Sequence, residues 1–106
     1  MKKKFLYIIT IGILLFNLSA CDTAEPTASF SISTTEGSSE IKITNNSIND
    51  YFYLWDFGDG EESSEREPNH TYTGAGSYTV QLTVFSKNGK FKDTETNTLV
   101  VENKNN

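Results

Sequence analysis

Cysteine occurs once in the 106 residues, at position 21, so the chain can close no disulfide on itself and can build no cysteine metal cluster. Histidine and tryptophan also occur once each, as His70 and Trp55, and proline only twice. Basic residues number nine against fourteen acidic ones, and three of the nine, Lys2, Lys3 and Lys4, stand at the extreme N-terminus. From Cys21 onward six basic groups face all fourteen acidic ones, a formal net charge of −8. Such a surface repels phosphate backbones and excludes nucleic acid as a partner. Helical periodicity is missing after residue 27, so a helical bundle is excluded as well.

What the N-terminus holds is an address. The lysines lead into an apolar run from Phe5 to Phe16, broken only by Thr10 and Gly12, and then into Leu18-Ser19-Ala20-Cys21. Positive charge, apolar stretch and small residues in that order describe a secretory signal peptide, and the apolar run is short for a membrane helix. Leu-Ser-Ala-Cys resembles the bacterial lipobox. The resemblance implies cleavage before Cys21 and a diacylglyceryl group on its thiol, hence a membrane partner reached through lipid. The expected organisation is a signal peptide at 1–20, a polar tether at 21–27, one domain at 28–102 and a tail at 103–106.

Alternation dominates the remainder. Ala28, Phe30 and Ile32 alternate with serines, and Ile41 and Ile43 with Lys42 and Thr44, with Glu36 to Ser39 as the turn between. Tyr51 to Phe57 is a dense aromatic strand ended by Gly58-Asp59-Gly60. Glu61 to Asn69 reads mainly as loop, and His70 to Thr73 as a short strand. Tyr78, Val80, Leu82 and Val84 alternate with Thr79, Gln81, Thr83 and Phe85. Asn88-Gly89 is a hairpin turn, since both residues tolerate positive φ, and Phe91 to Glu102 returns as the last strand. About seven short strands with regular turn signals predict an all-β, immunoglobulin-like sandwich with Greek-key connections, in a single domain.

Tyr53-Leu54-Trp55-Asp56-Phe57-Gly58-Asp59-Gly60 resembles the signature of the PKD (polycystic kidney disease) domain family, and Pro68 to Tyr72 and Gly76 to Val84 fit the same family in order and spacing. The resemblance spans about residues 27–102. Independently, Trp55 lies mid-strand where such a sandwich buries a large aromatic, and Tyr53 and Phe57 share its parity. Tyr78 stands two residues before Val80, the spacing of a tyrosine corner, with Val80 in the position of the second cysteine and Ile41 or Ile43 opposite. Tyr53, Trp55, Phe57, Tyr78, Val80 and Leu82 are therefore the expected core.

Two readings of the aspartates stand side by side. Asp56 and Asp59 flank a tight bend in which Gly58 and Gly60 supply positive φ, and their carboxylates suit nearby backbone N–H groups. Alternatively Asp56 and Asp59, with Glu61, are candidate ligands of a calcium ion, a property of some members of the family, although the spacing is not that of an EF-hand. Calcium is the only cofactor in question. His70 reads as a hydrogen-bonded packing residue.

No nucleophile, base and orienting group come together in the sequence, and Cys21 is consumed by the anchor, so no enzyme is expected. The family resemblance implies a noncatalytic module of the cell envelope that binds protein or carbohydrate, or a spacer with no ligand of its own. If Trp55 points inward, Phe52 and Leu54 point outward, and Phe85 on the neighbouring strand shares that parity. These three form the candidate binding patch.

Overall fold

The computed structural model describes residues 24–102. The expected signal segment, the anchor at Cys21 and the tail from 103 lie outside the described residues. Seven strands follow one another: β1 (Phe30–Thr34), β2 (Glu40–Asn45), β3 (Phe52–Asp56), β4 (Glu62–Ser63), β5 (Asn69–Thr71), β6 (Gly76–Phe85) and β7 (Lys92–Val101). They form two antiparallel sheets, β1-β2-β5 and β4-β3-β6-β7. The chain crosses between the sheets after β2, after β4 and after β5, the interleaved connectivity of an immunoglobulin-like sandwich.

Each sheet turns one predominantly apolar face inward. In β2, Ile41, Ile43 and Asn45 are buried while Glu40, Lys42 and Thr44 are exposed. In β6, Val80, Leu82 and Val84 are fully enclosed. A period of two places these side chains on one face, and facing the two inner surfaces together removes them from water. The core thus formed contains Ala28, Phe30, Ile41, Ile43, Trp55, Phe57, Tyr72, Val80, Leu82, Val84 and Val101, with Ile32, Tyr53, Tyr78 and Leu99 packed at its margin.

Several boundaries differ from those read in the sequence. The segment 61–69 contains a two-residue strand, β4, whose Glu62 pairs with Asp56; a strand this short carries no alternation to detect. Glu25 to Thr27, expected within the tether, are held against the domain. Thr27 and Ile48 exchange backbone hydrogen bonds of 3.0 and 3.1 Å, and Asn49 Nδ2 donates to the Glu25 carbonyl at 3.0 Å. The inner face of β7 is more polar than a core strand normally allows, because two of its side chains serve the first strand's open edge. Asp93 Oδ2 accepts the Ala28 N–H at 2.9 Å, and Asn97 Nδ2 donates to the Phe30 carbonyl at 3.0 Å. Both bonds satisfy backbone groups that no neighbouring strand reaches.

The sandwich has two distinct poles. At one lie Thr27, Ile48, the start of β3, the end of β6 and the hairpin from Ser86 to Phe91, closed by Ser86 N–H to Phe91 C=O at 2.9 Å. At the other lie the β1–β2 turn, the Gly58–Gly60 bend and Val101, which pairs with Gly76. The described chain enters at the first pole and leaves at the second, about 30 Å away along the ten residues of β6.

Candidate functional site

Trp55 organises the centre. Its ring meets Phe30 edge-on at 5.0 Å between centroids and lies parallel to Phe57 at 6.5 Å. A buried indole N–H needs an acceptor, and Trp55 Nε1 donates to the Glu65 carbonyl at 2.8 Å. The aromatic series continues through His70, stacked on Phe57 at 4.0 Å, to Tyr72, which meets His70 edge-on and stacks on Tyr78 at 4.1 Å. Of the residues expected in the core, Trp55, Phe57, Val80 and Leu82 are buried, while Tyr53 and Tyr78 sit half-buried at its margin. Tyr78 Oη donates to the Gly74 carbonyl at 2.7 Å, the upstream backbone bond of a tyrosine corner.

The aspartates act on the bend. Asp56 Oδ1 accepts the Gly58 N–H at 2.9 Å, and Asp59 Oδ1 accepts the Glu61 N–H at 3.1 Å. Asp59 Oδ2 lies 2.8 Å from Nε2 of His70. Burial alone raises the Asp59 carboxyl, but the hydrogen bonds from His70 and from backbone, with the attraction of the His70 ring, overcome it and hold the group below the usual carboxylate range. Both Asp59 oxygens thus have protein donors. Among the described residues no cluster of three or more His, Cys, Asp or Glu side chains converges as a metal-binding group.

Gly58 is held at φ 84°, and a Cβ built there meets the Thr79 carbonyl oxygen at 2.6 Å. The bend therefore lies directly against the backbone of β6. Close approach, as well as left-handed geometry, requires glycine at this position.

Two groups of residues were not singled out by sequence reasoning. Tyr72, nearly fully buried, donates from Oη to the Phe57 carbonyl at 2.7 Å; its burial, with the nearby Asp59 charge, pushes the phenol up to about 12. The segment read as an acidic loop straps the sheets together: Glu65 serves Trp55, Arg66 C=O accepts from Asn45 Nδ2 at 2.8 Å, and Glu67 Oε2 accepts the Asn45 N–H at 2.8 Å. Arg66 also reaches Tyr53 Oη at 3.2 Å and Asp50 at 3.3 Å, and lies over the Tyr53 ring. A demand for an indole acceptor was the only signal in the sequence for this strap.

The candidate patch is on the outer face of β3 and β6. Phe52 pairs directly with Phe85 across the ladder. Phe52 is 57% exposed and Leu54 42%, while Phe85 is half-buried. Beyond them the same face carries a lattice of hydroxyls, with Thr79 3.1 Å from Thr98 and Thr83 3.2 Å from Thr94. Apolar side chains at one end and the exposed Thr79–Thr98 hydroxyl pair at the other, with Thr83 buried between them, make a surface able to meet an extended polymer, with apolar contact and hydrogen bonding together.

Two sheets packed about a single tryptophan, a tyrosine corner without the disulfide, and an aspartate–glycine bend against the sixth strand define an immunoglobulin-like sandwich. The PKD domain profile matches residues 19–101, and the chain belongs to the PKD domain family. It is 36% identical over 97 residues to the pre-pro-metalloprotease PrtV of Vibrio cholerae, covering 89% of this chain and 10% of that protein. It is 48% identical over 48 residues to the collagenase ColA of Bacillus cereus, covering 45% of this chain and 5% of the collagenase. The chain thus spans a tenth or less of the length of these proteases. Among solved structures, the PKD1 domain of the V. cholerae metalloprotease PrtV superposes with a TM-score of 0.67 at 36% identity, over 76% of this chain and all of that one. A structure described as a carbohydrate-binding module of the β-sandwich superfamily superposes with a TM-score of 0.67 at 29% identity, over 74% of this chain and 34% of its own.

Proposed function

We propose that this protein is a noncatalytic binding module of the bacterial cell envelope, anchored by lipid on Cys21, whose contact surface is the outer face of β3 and β6. The observation that carries the reading is exposed Phe52, paired with half-buried Phe85 and flanked by exposed Leu54, on a sheet face that continues into the exposed Thr79–Thr98 pair. Aromatic rings stack on the apolar faces of sugars and on peptide side chains, while the hydroxyls suit polar groups of either. Similarity to a domain of a collagenase and to a carbohydrate-binding module supports a polysaccharide or protein ligand.

Co-sedimentation with insoluble polysaccharides and with collagen tests this, comparing wild type with Phe52→Ala/Phe85→Ala. Binding that falls at least ten-fold in the double variant, with an unchanged melting temperature, supports the patch. Retention of neither material by the wild type leaves the second reading, a spacer without its own ligand. That reading draws support from the entry and exit of the chain at opposite poles. Incorporation of labelled palmitate, abolished in Cys21→Ser, tests the anchor. A calcium ion at Asp56 and Asp59 would have to share carboxylate oxygens that already accept hydrogen bonds from backbone and His70. A melting temperature that rises in millimolar calcium and not in Asp59→Asn is the result that supports such a site.

A further inference from the structure

Basic charge is unevenly placed on this domain. Of the six basic residues after position 21, three, Lys87, Lys90 and Lys92, fall within the hairpin and the first residue of β7, and all three are exposed. That hairpin stands at the pole where the described chain enters. The two half-buried acidic neighbours there are already engaged: Asp50 is bonded to Arg66 at 3.3 Å, and Asp93 accepts the Ala28 N–H. Glu25 and Glu67, the latter accepting the Asn45 N–H, are the remaining acidic side chains among the described residues toward this end. The opposite pole carries Glu36, Glu40, Asp59, Glu61, Glu62 and Glu102.

Three of the five exposed large apolar side chains among the described residues gather at the same place, while Val100 lies at the opposite pole. Ile48 is 58% and Tyr51 55% exposed, beside Phe52. Ile48 is bridged to Thr27, and the Tyr51 N–H donates to the Phe85 carbonyl at 2.9 Å, so both side chains belong to the rim of the lysine-bearing pole. An aromatic with a hydroxyl tip, an isoleucine and a ring of lysines form the composition that lodges between the headgroups and upper acyl region of a bilayer.

We infer that this pole docks directly on an anionic phospholipid surface, with Lys87, Lys90 and Lys92 against the headgroups and Ile48 and Tyr51 at the interface. Cys21 lies six residues before Thr27, a span of about 20 Å at most when extended. A lipid there keeps the pole within reach of the bilayer, and its high local concentration lets three lysines suffice where a free domain would need more. The acidic pole is repelled outward by the same surface. The domain then stands upright, and the Phe52–Leu54–Phe85 face is presented sideways, just above the membrane.

The inference shares the anchor position with the proposed function, and the test separates them. Cys21 is the chain's single cysteine, so a chain beginning there can be coupled through Sγ to a maleimide lipid in vesicles, whatever its fate in cells. The chain from Cys21 contains every strand and the whole core, and the PKD1 domain that it fully covers is itself a solved isolated structure. Amine labelling is then read by mass spectrometry on vesicles of phosphatidylglycerol and of phosphatidylcholine. Labelling of Lys87 and Lys90, relative to Lys42 on the other sheet, is expected to slow about five-fold on the anionic vesicles and to recover in high salt. Lys87→Glu/Lys90→Glu is expected to abolish protection of Lys92. Equal relative labelling on both vesicle types overturns the inference, as does protection of Lys42 rather than the hairpin. Absence of palmitate on Cys21 in cells refutes the native anchor and leaves this result standing; loss of polysaccharide or collagen binding touches neither.

Discussion

Glu67 accepts a hydrogen bond from the backbone N–H of Asn45 at the point where β5 has ended as a partner for β2. The last β2–β5 pair is Lys42 with Asn69, so the carboxylate takes over a ladder position from a missing strand. Asn45 is buried, and its amide side chain is bound to the next carbonyl along the same segment, that of Arg66. Glu67→Ala orphans a buried N–H and is expected to cost about 1–3 kcal/mol. Glu67→Gln, which keeps an acceptor, costs less. Urea unfolding of the two variants decides; equal losses would show that the charge, not the acceptor, matters.

Trp55 offers a second test with two separable parts. Trp55→Ala removes a fully buried indole, and a loss of about 3–5 kcal/mol is expected. Trp55→Phe keeps most of the apolar contact but drops the bond to the Glu65 carbonyl. Its added effect is to free the 61–69 strap, read as faster amide exchange at Asn45 than global stability accounts for. Exchange unchanged at Asn45 contradicts the strap.

The two glycines of the bend are not equivalent, although both have positive φ. Gly58→Ala drives a methyl group to 2.6 Å from the Thr79 carbonyl, whereas at Gly60 a methyl group meets open space. The first variant is expected to lose more than about 3 kcal/mol, through backbone displacement of β6 as well as strain. The second loses about 1–2 kcal/mol, the strain alone. Thermal melts of both, on the same protein preparation, rank them; a Gly60 variant as damaged as the Gly58 one is the contrary outcome.

Acid sensitivity should be traceable to Asp59. Its carboxyl is held below the ordinary range in the folded state, so the stability it contributes is present above the unfolded value and is lost as pH falls through the folded one. The melting temperature is expected to decline below about pH 4, and the decline should be shallower in Asp59→Asn. An unchanged slope in that variant assigns the acid transition to other carboxylates.

At the alkaline end the relevant group is Tyr72, whose phenol is pushed up to about 12 by burial. A raised folded value favours the native state at neutral pH and loses that contribution as pH climbs from the unfolded value, about 10, to 12. Tyr72→Phe is expected to cost about 1–2 kcal/mol at pH 7, through the unpaired Phe57 carbonyl, and to flatten stability between pH 10 and 12. Denaturant midpoints at pH 8 and pH 11 measure both effects in one comparison.

Much of the sandwich was legible in the chain because burial on one face writes a period of two into β2 and β6, and because Trp55 and the aspartate–glycine bend belong to a family signature. The placement of Phe52, Leu54 and Phe85 on an outer face follows from that parity and the β3–β6 register. What was not legible depends on single carbonyls and amides. The roles of Glu65, Arg66 and Glu67 are set by where the 61–69 segment crosses the sandwich, and no pattern of side chains records the path of a backbone. Likewise Asp93 and Asn97 look like surface residues in sequence, whereas the unpaired edge beside Ala28 and Phe30 calls them inward. Tyr72 lies just past β5, which ends at Thr71 rather than at the expected Thr73 and is too short to write an alternation that reveals its burial.

The entry of the chain beside Thr27 and its departure after Val101, at opposite ends of parallel-lying strands, set how the domain answers tension. A pull applied between the two poles runs lengthwise along β6 and β7. Their ten ladder pairs are then loaded in shear, all together, rather than peeled one at a time. Under such a load the sandwich behaves as a stiff link, with its lifetime set by how slowly that whole ladder slips.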